Sequence, residues 1–387
     1  MLLDGSNTHT LQIARELKSC LSVDILGVGS SPRAFLLRSK YPSLRAVTKS
    51  DSIEGYVEEL LHLIRRYRPD FILPVGYSSV AAVDIVRSLM PACATWLPST
   101  EVLKTCLDKA KVLEVARRIG IDTPAEYGHI LIGSSGSNGA NLDMASLATV
   151  RFPLFLKGSL EAGVNLTAKI DTADDLLPKY EELKSRTTDG RVLVQEYIDG
   201  DKSTIGCAFL IHDHNVVLSF GHEELRSVPR TGGSATRIRT YLDPVLLQDS
   251  ARLLHALGFD RGVALVEYKK RRPGSYALME INPKFWASYT LASRCNYHFA
   301  AEMVGLHLGL PIKKRRQKRA LEMVFPLREA GYVLGNRDSE SLIASAKAML
   351  WPPAKWDMSL YDLWLAVTPL SRFIKIATNN RLSRRHR

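Results

Sequence analysis

The sequence predicts an α/β protein in which a doubly wound parallel sheet precedes a larger α+β unit and a basic C-terminal extension. Three observations predict it. From Leu2 to about Leu97, short apolar runs alternate with helical stretches, the pattern of a parallel sheet covered on both faces. From Val192 to Asn282, β-rich runs dominate and end in a hairpin. The formal net charge of +12 is also segregated: residues 311–387 hold 16 Lys/Arg against 6 Asp/Glu, so the extension carries +10 of it.

In the first region, Val23–Val28, Ala46–Thr48 and Phe71–Val75 read as strands, and Thr10–Ser19, Ile53–Tyr67 and Ser79–Leu89 as helices. Asp4-Gly5-Ser6-Asn7 at the first βα turn lacks G-x-G-x-x-G, which argues against a dinucleotide there. Residues 99–128 connect to the second unit. Leu107-Asp108-Lys109-Ala110-Lys111 opens an amphipathic helix that ends at Gly120, with Pro124 just beyond. Gly133–Asn141 is a flexible surface insertion by composition, since it lacks the Lys-Ser/Thr ending of a phosphate-binding P-loop.

Next, Phe152-Pro153-Leu154-Phe155-Leu156-Lys157-Gly158 reads as a buried strand that delivers a lysine, followed by the loop Ser159–Asn165. Val192–Gly200 is an apolar strand running into a polar turn. Thr204–Leu210 and Val216–Phe220 are strands joined by His212-Asp213-His214-Asn215, which reads as a hairpin turn rather than a metal site. In Arg226–Arg237 the paired glycines Gly232 and Gly233 let backbone amides approach an anion. Arg226, Arg230 and Arg237 suit a carboxylate clamp, against the competing reading of a solvated basic loop, which fits Arg239.

The most informative segment is Leu278-Met279-Glu280-Ile281-Asn282-Pro283-Lys284-Phe285-Trp286. It lies across a turn at residues 271–275 from Gly262–Lys269. Antiparallel pairing places Glu267, Glu280 and Asn282 at neighbouring strand positions. Three oxygen ligands, completed by water and phosphate oxygens, are what Mg²⁺ takes. A surface hairpin whose acids pair with Lys269, Lys270 and Arg271 is the competing reading of these residues alone.

Taken in order, these elements resemble the ATP-grasp superfamily over roughly residues 2–310. Within it, Pro229-Arg230-Thr231-Gly232-Gly233-Ser234 resembles the carboxylate–amine ligase branch that includes D-aspartate ligases, related to carbamoyl-phosphate synthetase. The resemblance implies a pre-ATP-grasp αβ domain over residues 1–105, a two-lobed α+β ATP-grasp domain over 106–310 and the extension over 311–387. It implies that Lys109 and Lys157 reach the phosphates of ATP, and that residues 159–165 cover them, although only Gly158 and Gly163 are glycines there. The backbone at Gln195 and Ile198 and the carboxylate of Glu196 would read the adenine edge, and Asp201 the ribose. Glu267, Glu280 and Asn282 would hold Mg²⁺ or Mn²⁺. Lys284 stands where relatives commonly carry Arg, and with Arg230 and Arg237 it makes up the expected catalytic set. The implied reaction passes the γ-phosphate to a substrate carboxylate, giving an acylphosphate that an amine attacks as ADP departs. A glycosyltransferase and a degenerate nucleotide-binding module are the competing functional readings.

At 387 residues with 45% hydrophobic and 24% charged content, the chain has the make-up of a multi-domain globular protein. Its five cysteines show no C-x-x-C or finger spacing, which fits reduced thiols in the cytoplasm. Met1–Gly5 lacks the basic stretch and apolar core of a secretion signal. In the extension, Leu360, Trp364, Val367 and Ile374 fall near one helical face that Pro369 interrupts. Packing of this face on the core competes with peripheral docking on the anionic inner face of a membrane, which suits a ligase acting on a cell-envelope glycan or peptidoglycan precursor. The basic run Lys313–Arg319 lacks interleaved aromatics and so argues against nucleic acid. The acid, the amine and the oligomeric state are left open.

Overall fold

The fold begins with parallel strand pairing, as the alternation of apolar and helical segments requires. The computed structural model describes residues 1–89, 94–132, 141–160, 166–198, 204–228, 234–272, 274–313, 316–318, 320–336, 343 and 356–357. The first domain contains α1 (Thr8–Cys20), β1 (Leu26–Gly29), α2 (Phe35–Arg38), β2 (Leu44–Val47), α3 (Ile53–Tyr67) and α4 (Tyr77–Leu89). β1 and β2 pair in parallel, with Leu26 opposite Leu44. Leu2 bridges in parallel to both Gly27 and Leu73, extending the sheet by two more passes of chain.

α3 spans the residues its sequence predicts. Ser52 caps it by accepting from the Gly55 amide, and Val57, Leu60, Leu63 and Ile64 form its buried stripe. The strand expected at Phe71–Val75 contracts to the single bridge at Leu73, because Pro74 has no N–H to extend a ladder. The four-residue helix α2 was not foreseen, being too short to show a period.

The connection is α5 (Thr100–Leu107), capped by Ser99, and α6 (Lys109–Arg118), whose cap Asp108 accepts from the Ala110 and Lys111 amides. Gly120 ends this run with φ +80°, a backbone state open to glycine. The short strands β3 (Leu131–Ile132) and β4 (Asn141–Leu142) pair with each other, and α7 (Met144–Leu147) follows. Of the insertion foreseen at Gly133–Asn141, residues 133–140 lie outside the described residues, and Asn141 opens β4 instead. A small antiparallel sheet comes next, made of β5 (Leu154–Gly158), β6 (Thr167–Ile170) and β7 (Val192–Glu196) in the order β6-β5-β7. α8 (Ala173–Lys184) covers it by burying Leu176, Tyr180 and Leu183.

The larger lobe holds β8 (Thr204–His212), β9 (Asn215–Val228), β10 (Ser234–Thr240), α9 (Pro244–Ala256), β11 (Gly262–Arg272) and β12 (Ser275–Asn282). It continues with α10 (Tyr289–Arg294), α11 (Phe299–Leu308), β13 (Glu322–Val324) and α12 (Pro326–Asn336). The six-stranded sheet runs β12-β11-β8-β9-β10-β13, every pair antiparallel. Side chains alternate between two cores, as period two demands. Ile205, Cys207, Phe209, Val266 and Tyr268 face α6 and α9, while Ala208, Leu210, Phe220 and Leu265 share a core with α1, α10 and α11.

The β8–β9 turn places Asp213 and His214 at φ +48° and +62°, and the His212 ring stacks on Trp96 at 4.3 Å. The segment forms the hairpin turn its sequence predicts, with His212 paired to Asn215. β13 lies inside the basic extension, so the sheet draws its outermost strand from beyond residue 310. The amphipathic segment from Leu360 to Ile374 falls outside the described residues. Among those described, no helix is long and apolar enough to cross a membrane. The four described cysteines, Cys20, Cys106, Cys207 and Cys295, are all buried and free.

Candidate active site

Glu267 on β11 pairs directly with Glu280 on β12, and the next pair is Tyr268 with Leu278. Met279 is therefore an extra residue, a β-bulge that shifts the facing of the strand by one. The shift lets Leu278 and Ile281 enter the α9-side core while Glu280 and Asn282 stay on the face of Glu267. Asn282 Nδ2 donates to Glu267 Oε2 at 2.5 Å and to Glu280 Oε1 at 3.2 Å.

Two lysines arrive from other elements. Lys157, in β5, donates to Glu280 Oε2 at 2.5 Å, and Lys109 Nζ, in the first turn of α6, lies 3.9 Å from the same oxygen. Their approach is fixed locally. The Lys109 amide donates to the Ser159 carbonyl, and Asp108 accepts from Ser159 Oγ at 3.3 Å and from Arg191 at 2.8 Å. Lys109 is only 4% exposed, so its charge is committed to this cleft.

Electrostatics divides the two carboxylates. Burial, the facing Glu280 and nearby Glu224 push Glu267 well above the usual carboxylate range, against the pull of Lys284 and Lys157. Burial works against ionisation of Glu280 too, but Lys157, Lys109 and the hydrogen bonds outweigh it and hold that carboxyl well below its ordinary value. Two facing carboxylates and an amide, one carboxylate left unneutralised, suit a divalent cation. Among the described residues no group of three or more His, Cys, Asp or Glu forms a complete cage. That fits an ion that shares its coordination with phosphate oxygens.

The first domain reaches the same place. Asp4 Oδ2 accepts from the Val75 amide at 3.0 Å, the Gly76 amide at 2.8 Å and the Ser79 hydroxyl, which fixes the turn into α4. Tyr77, the first residue of α4, donates its hydroxyl to Asn282 Oδ1, and the Lys284 ammonium sits 4.4 Å from the centre of its ring. The turn at residues 74–77 therefore lies beside the hairpin carboxylates. The role of Tyr77 as hydrogen-bond donor has no sequence signal, because its partner lies 205 positions away.

At the hinge, Gln195 is buried on β7, opposite Phe155 of the central strand β5. The carboxylate of Glu196 is taken up within the protein. It accepts from the Ala125 amide at 2.8 Å and from Arg271, which also donates to Asp122 at 2.9 Å. Burial disfavours the charge on Glu196, but Arg271 and Ala125 prevail and lower its pKa. A nucleotide base would thus meet backbone groups here before it met this carboxylate. Ile198 is described; Asp201, Arg230 and residues 161–165 lie outside the described residues.

Arg226 and Arg237 do not form the expected clamp. Arg226 pairs with Glu329 at 2.5 Å and Arg237 with Glu322, both acids of the C-terminal segment, and Arg239 pairs with Glu223 at 2.5 Å. β13 and α12 lie against β9 and β10, so these arginines serve to dock the segment. α12 carries a further arginine against β10. Arg328 donates to the Ala235 carbonyl at 3.1 Å and covers the Phe325 ring at 4.4 Å. Nothing in the sequence marks it.

Comparison of the sequence with family models and with curated proteins gives no match. The structure does match solved ones. A biotin carboxylase–β-γ-ATP complex from Campylobacter jejuni superposes with a TM-score of 0.65 at 18% identity, over 81% of this chain and 73% of that one. An L-amino acid ligase from Bacillus licheniformis gives 0.61 at 13% identity, over 84% and 78%. A phosphoribosylglycinamide synthetase from Anaerococcus prevotii gives 0.59 at 12% identity, over 84% and 79%. Identities this low carry the fold and nothing finer, and the fold is that of the ATP-grasp proteins.

Proposed function

We propose that the protein is an ATP-dependent carboxylate–amine ligase, which activates a carboxylate as an acylphosphate and couples it to an amine with release of ADP and phosphate. The observation that carries this reading is the convergence of Glu267, Glu280 and Asn282 with Lys109 and Lys157 in one cleft of this fold. In this reading the three hairpin residues hold Mg²⁺ or Mn²⁺, which bridges the phosphates of ATP and offsets their charge. Lys109 and Lys157 lie where they offset the remaining phosphate charge. The backbone at Gln195 and Ile198 receives the adenine edge and Asp201 the ribose, while Glu196 holds the hinge to Arg271. Lys284, seated on Tyr77, stabilises negative charge on the reacting carboxylate, though an ammonium grips it at one point rather than two. Arg230 is a candidate for further carboxylate contact, and Arg237 belongs to the docking of β13.

The catalytic problem is the approach of one anion to another, and buried cations at fixed positions address it without reorganisation. Hydroxylamine trapping tests the reading. A pool of carboxylic acids incubated with Mg-ATP and hydroxylamine should give hydroxamate and ADP in equal amounts. ADP without hydroxamate, or neither, would refute it.

We further propose that the basic extension brings this ligase to the inner face of a membrane, where the precursor of a cell-envelope glycan or peptidoglycan would be modified. The support is its charge of +10, with each basic residue near an anionic surface contributing about 1 kcal/mol. Full-length protein that stays in the supernatant with anionic vesicles at low salt would exclude this.

A further inference from the structure

A row of four register partners crosses the large sheet. Glu280 on β12 faces Glu267 on β11, Glu267 faces Gly206 on β8, and Gly206 faces His222 on β9. Register partners point to the same face of a sheet. On that face Leu265, Ala208 and Phe220, each two residues along its strand, enter the core shared with α1, α10 and α11. His222 therefore stands on the face that carries the hairpin carboxylates, two strands and about 10 Å of backbone from Glu267.

Gly206 leaves the position between them without a side chain, and the imidazole leans into it. A Cβ on Gly206 would fall 2.3 Å from Cε1, 2.8 Å from Nε2 and 3.0 Å from Nδ1 of His222. The edge of the ring that carries both nitrogens thus lies over the glycine, toward Glu267, and only glycine admits that approach.

His222 is 2% exposed, and its Nδ1 has no hydrogen-bond partner among the described residues. Its Nε2 lies 3.0 Å from the hydroxyl of Ser288, on the segment that also carries Lys284. The partners settle the tautomer. Among the described residues the Ser288 hydroxyl has no other bond. Were it to accept from Nε2–H, both its own proton and the Nδ1 lone pair would be left over. With the hydroxyl donating to Nε2, a single group is left over, the Nδ1–H. Burial holds the pKa of the ring down at about 4, so the imidazole is neutral. A buried donor without an acceptor is costly, and a bound oxygen would lift that cost. Among the described residues His222 forms no metal-binding group with the two glutamates, and a protonated nitrogen does not ligate a cation.

We propose that His222 is a further catalytic residue of the ligase, its Nδ1–H donating to the acyl oxygen of the acylphosphate as the amine attacks. The amine lone pair forms the C–N bond to the carbonyl carbon, and the C=O π pair moves onto that oxygen. There the Nδ1–H meets the charge without giving up its proton. The C=O then re-forms, and the C–O bond to phosphate breaks with its electron pair leaving on the phosphate. One proton passes from the nitrogen to that phosphate. A neutral donor suits the task, because it gains most when the oxygen becomes charged, whereas an imidazolium would already hold the ground-state carboxylate.

This role rests on the ligase reading, and the test separates the two. The full-length protein, in excess over ATP, is mixed with Mg²⁺, hydroxylamine and the pool of carboxylic acids, and ADP and hydroxamate are followed through the first turnover by rapid quench. In the wild type the two should rise together. In His222→Leu, ADP should appear at the wild-type rate while hydroxamate lags about a hundredfold, the usual effect of losing one such donor. His222→Asn, whose amide N–H falls near the Nδ1 position, should recover tenfold or more of that loss. Gly206→Ala should reproduce the lag with the histidine still present. Unchanged binding of a non-hydrolysable ATP analogue confirms that each variant is folded. His222→Gln, which reaches Ser288 but not the Nδ1 position, replaces His222→Leu if the latter is not folded. Hydroxamate as fast as in wild type, a lag shared equally by ADP, or an Asn variant no better than the Leu variant would overturn the proposal. No hydroxamate from the wild type would instead refute the ligase reading, and with it any reaction for His222 to assist.

Discussion

Glu267 and Glu280 face each other as a register pair across the β11–β12 hairpin, yet among the described residues Glu280 alone of the two forms ion pairs with lysines. The two carboxylates are therefore unequal before any cation arrives, and their amide counterparts should behave differently.

Glu280→Gln should abolish ADP formation and also destabilise the metal-free protein. It removes the charge that answers the partly buried ammonium of Lys157, a loss of about 3 kcal/mol. Glu267→Gln should also abolish activity but leave stability unchanged or raise it, because it relieves repulsion without stranding a partner. Thermal denaturation in chelator checks the pair; equal shifts in the two variants would contradict the asymmetry.

Stability of the metal-free protein should decline as pH rises. Glu224 and Glu267 have folded pKa values above the ordinary glutamate value of 4.5, so their neutral forms favour the fold. That contribution is complete below pH 4.5 and is lost as pH climbs through about 7 for Glu224, with Glu267 adding to the loss. Glu280, shifted the other way, acts only below this window. Urea midpoints measured in chelator should fall by the equivalent of roughly 2 kcal/mol across the window, and the Glu224→Gln, Glu267→Gln double variant should flatten the profile.

Lys157→Met keeps the aliphatic stem of this residue in the β5 core but removes the charge at the phosphates. Turnover should fall about a hundredfold, the usual cost of one oriented charge in a transition state. Steady-state ADP release decides it, and an unchanged rate with weaker nucleotide binding would point to Lys109 as the working lysine.

Glu329→Gln should loosen the C-terminal segment. Glu329 is fully buried against Arg226, so the substitution removes a buried charge from that ion pair at a cost of about 3 kcal/mol. Limited proteolysis should cut after residue 320 faster than in wild type, while the β11–β12 hairpin stays protected.

The hairpin carboxylates were legible because their spacing and the 271–275 turn are local. α3 was legible because its cap and apolar stripe lie within sixteen residues. The bulge at Met279 was not, since a register shift depends on which face each neighbour needs. Arg226 and Arg237 read as a substrate clamp because their true partners lie 103 and 85 residues downstream. Glu196 followed the same logic: Arg271, 75 residues away, takes its carboxylate. Charged side chains are read from local pattern, but which charge meets which is settled by tertiary packing.

β13 has a practical consequence for anyone shortening this chain. A cut after Leu310, where the family resemblance ends, would strip β10 of its neighbour and leave a bare row of amides and carbonyls. Arg226 and Arg237 would lose Glu329 and Glu322 in the same stroke. Such a fragment should be recovered largely as aggregate through edge-to-edge association, whereas a cut after Asn336 keeps the outer strand and both ion pairs. The boundary of the folding unit is thus set by the sheet's need for a covered edge rather than by the reach of the catalytic motifs.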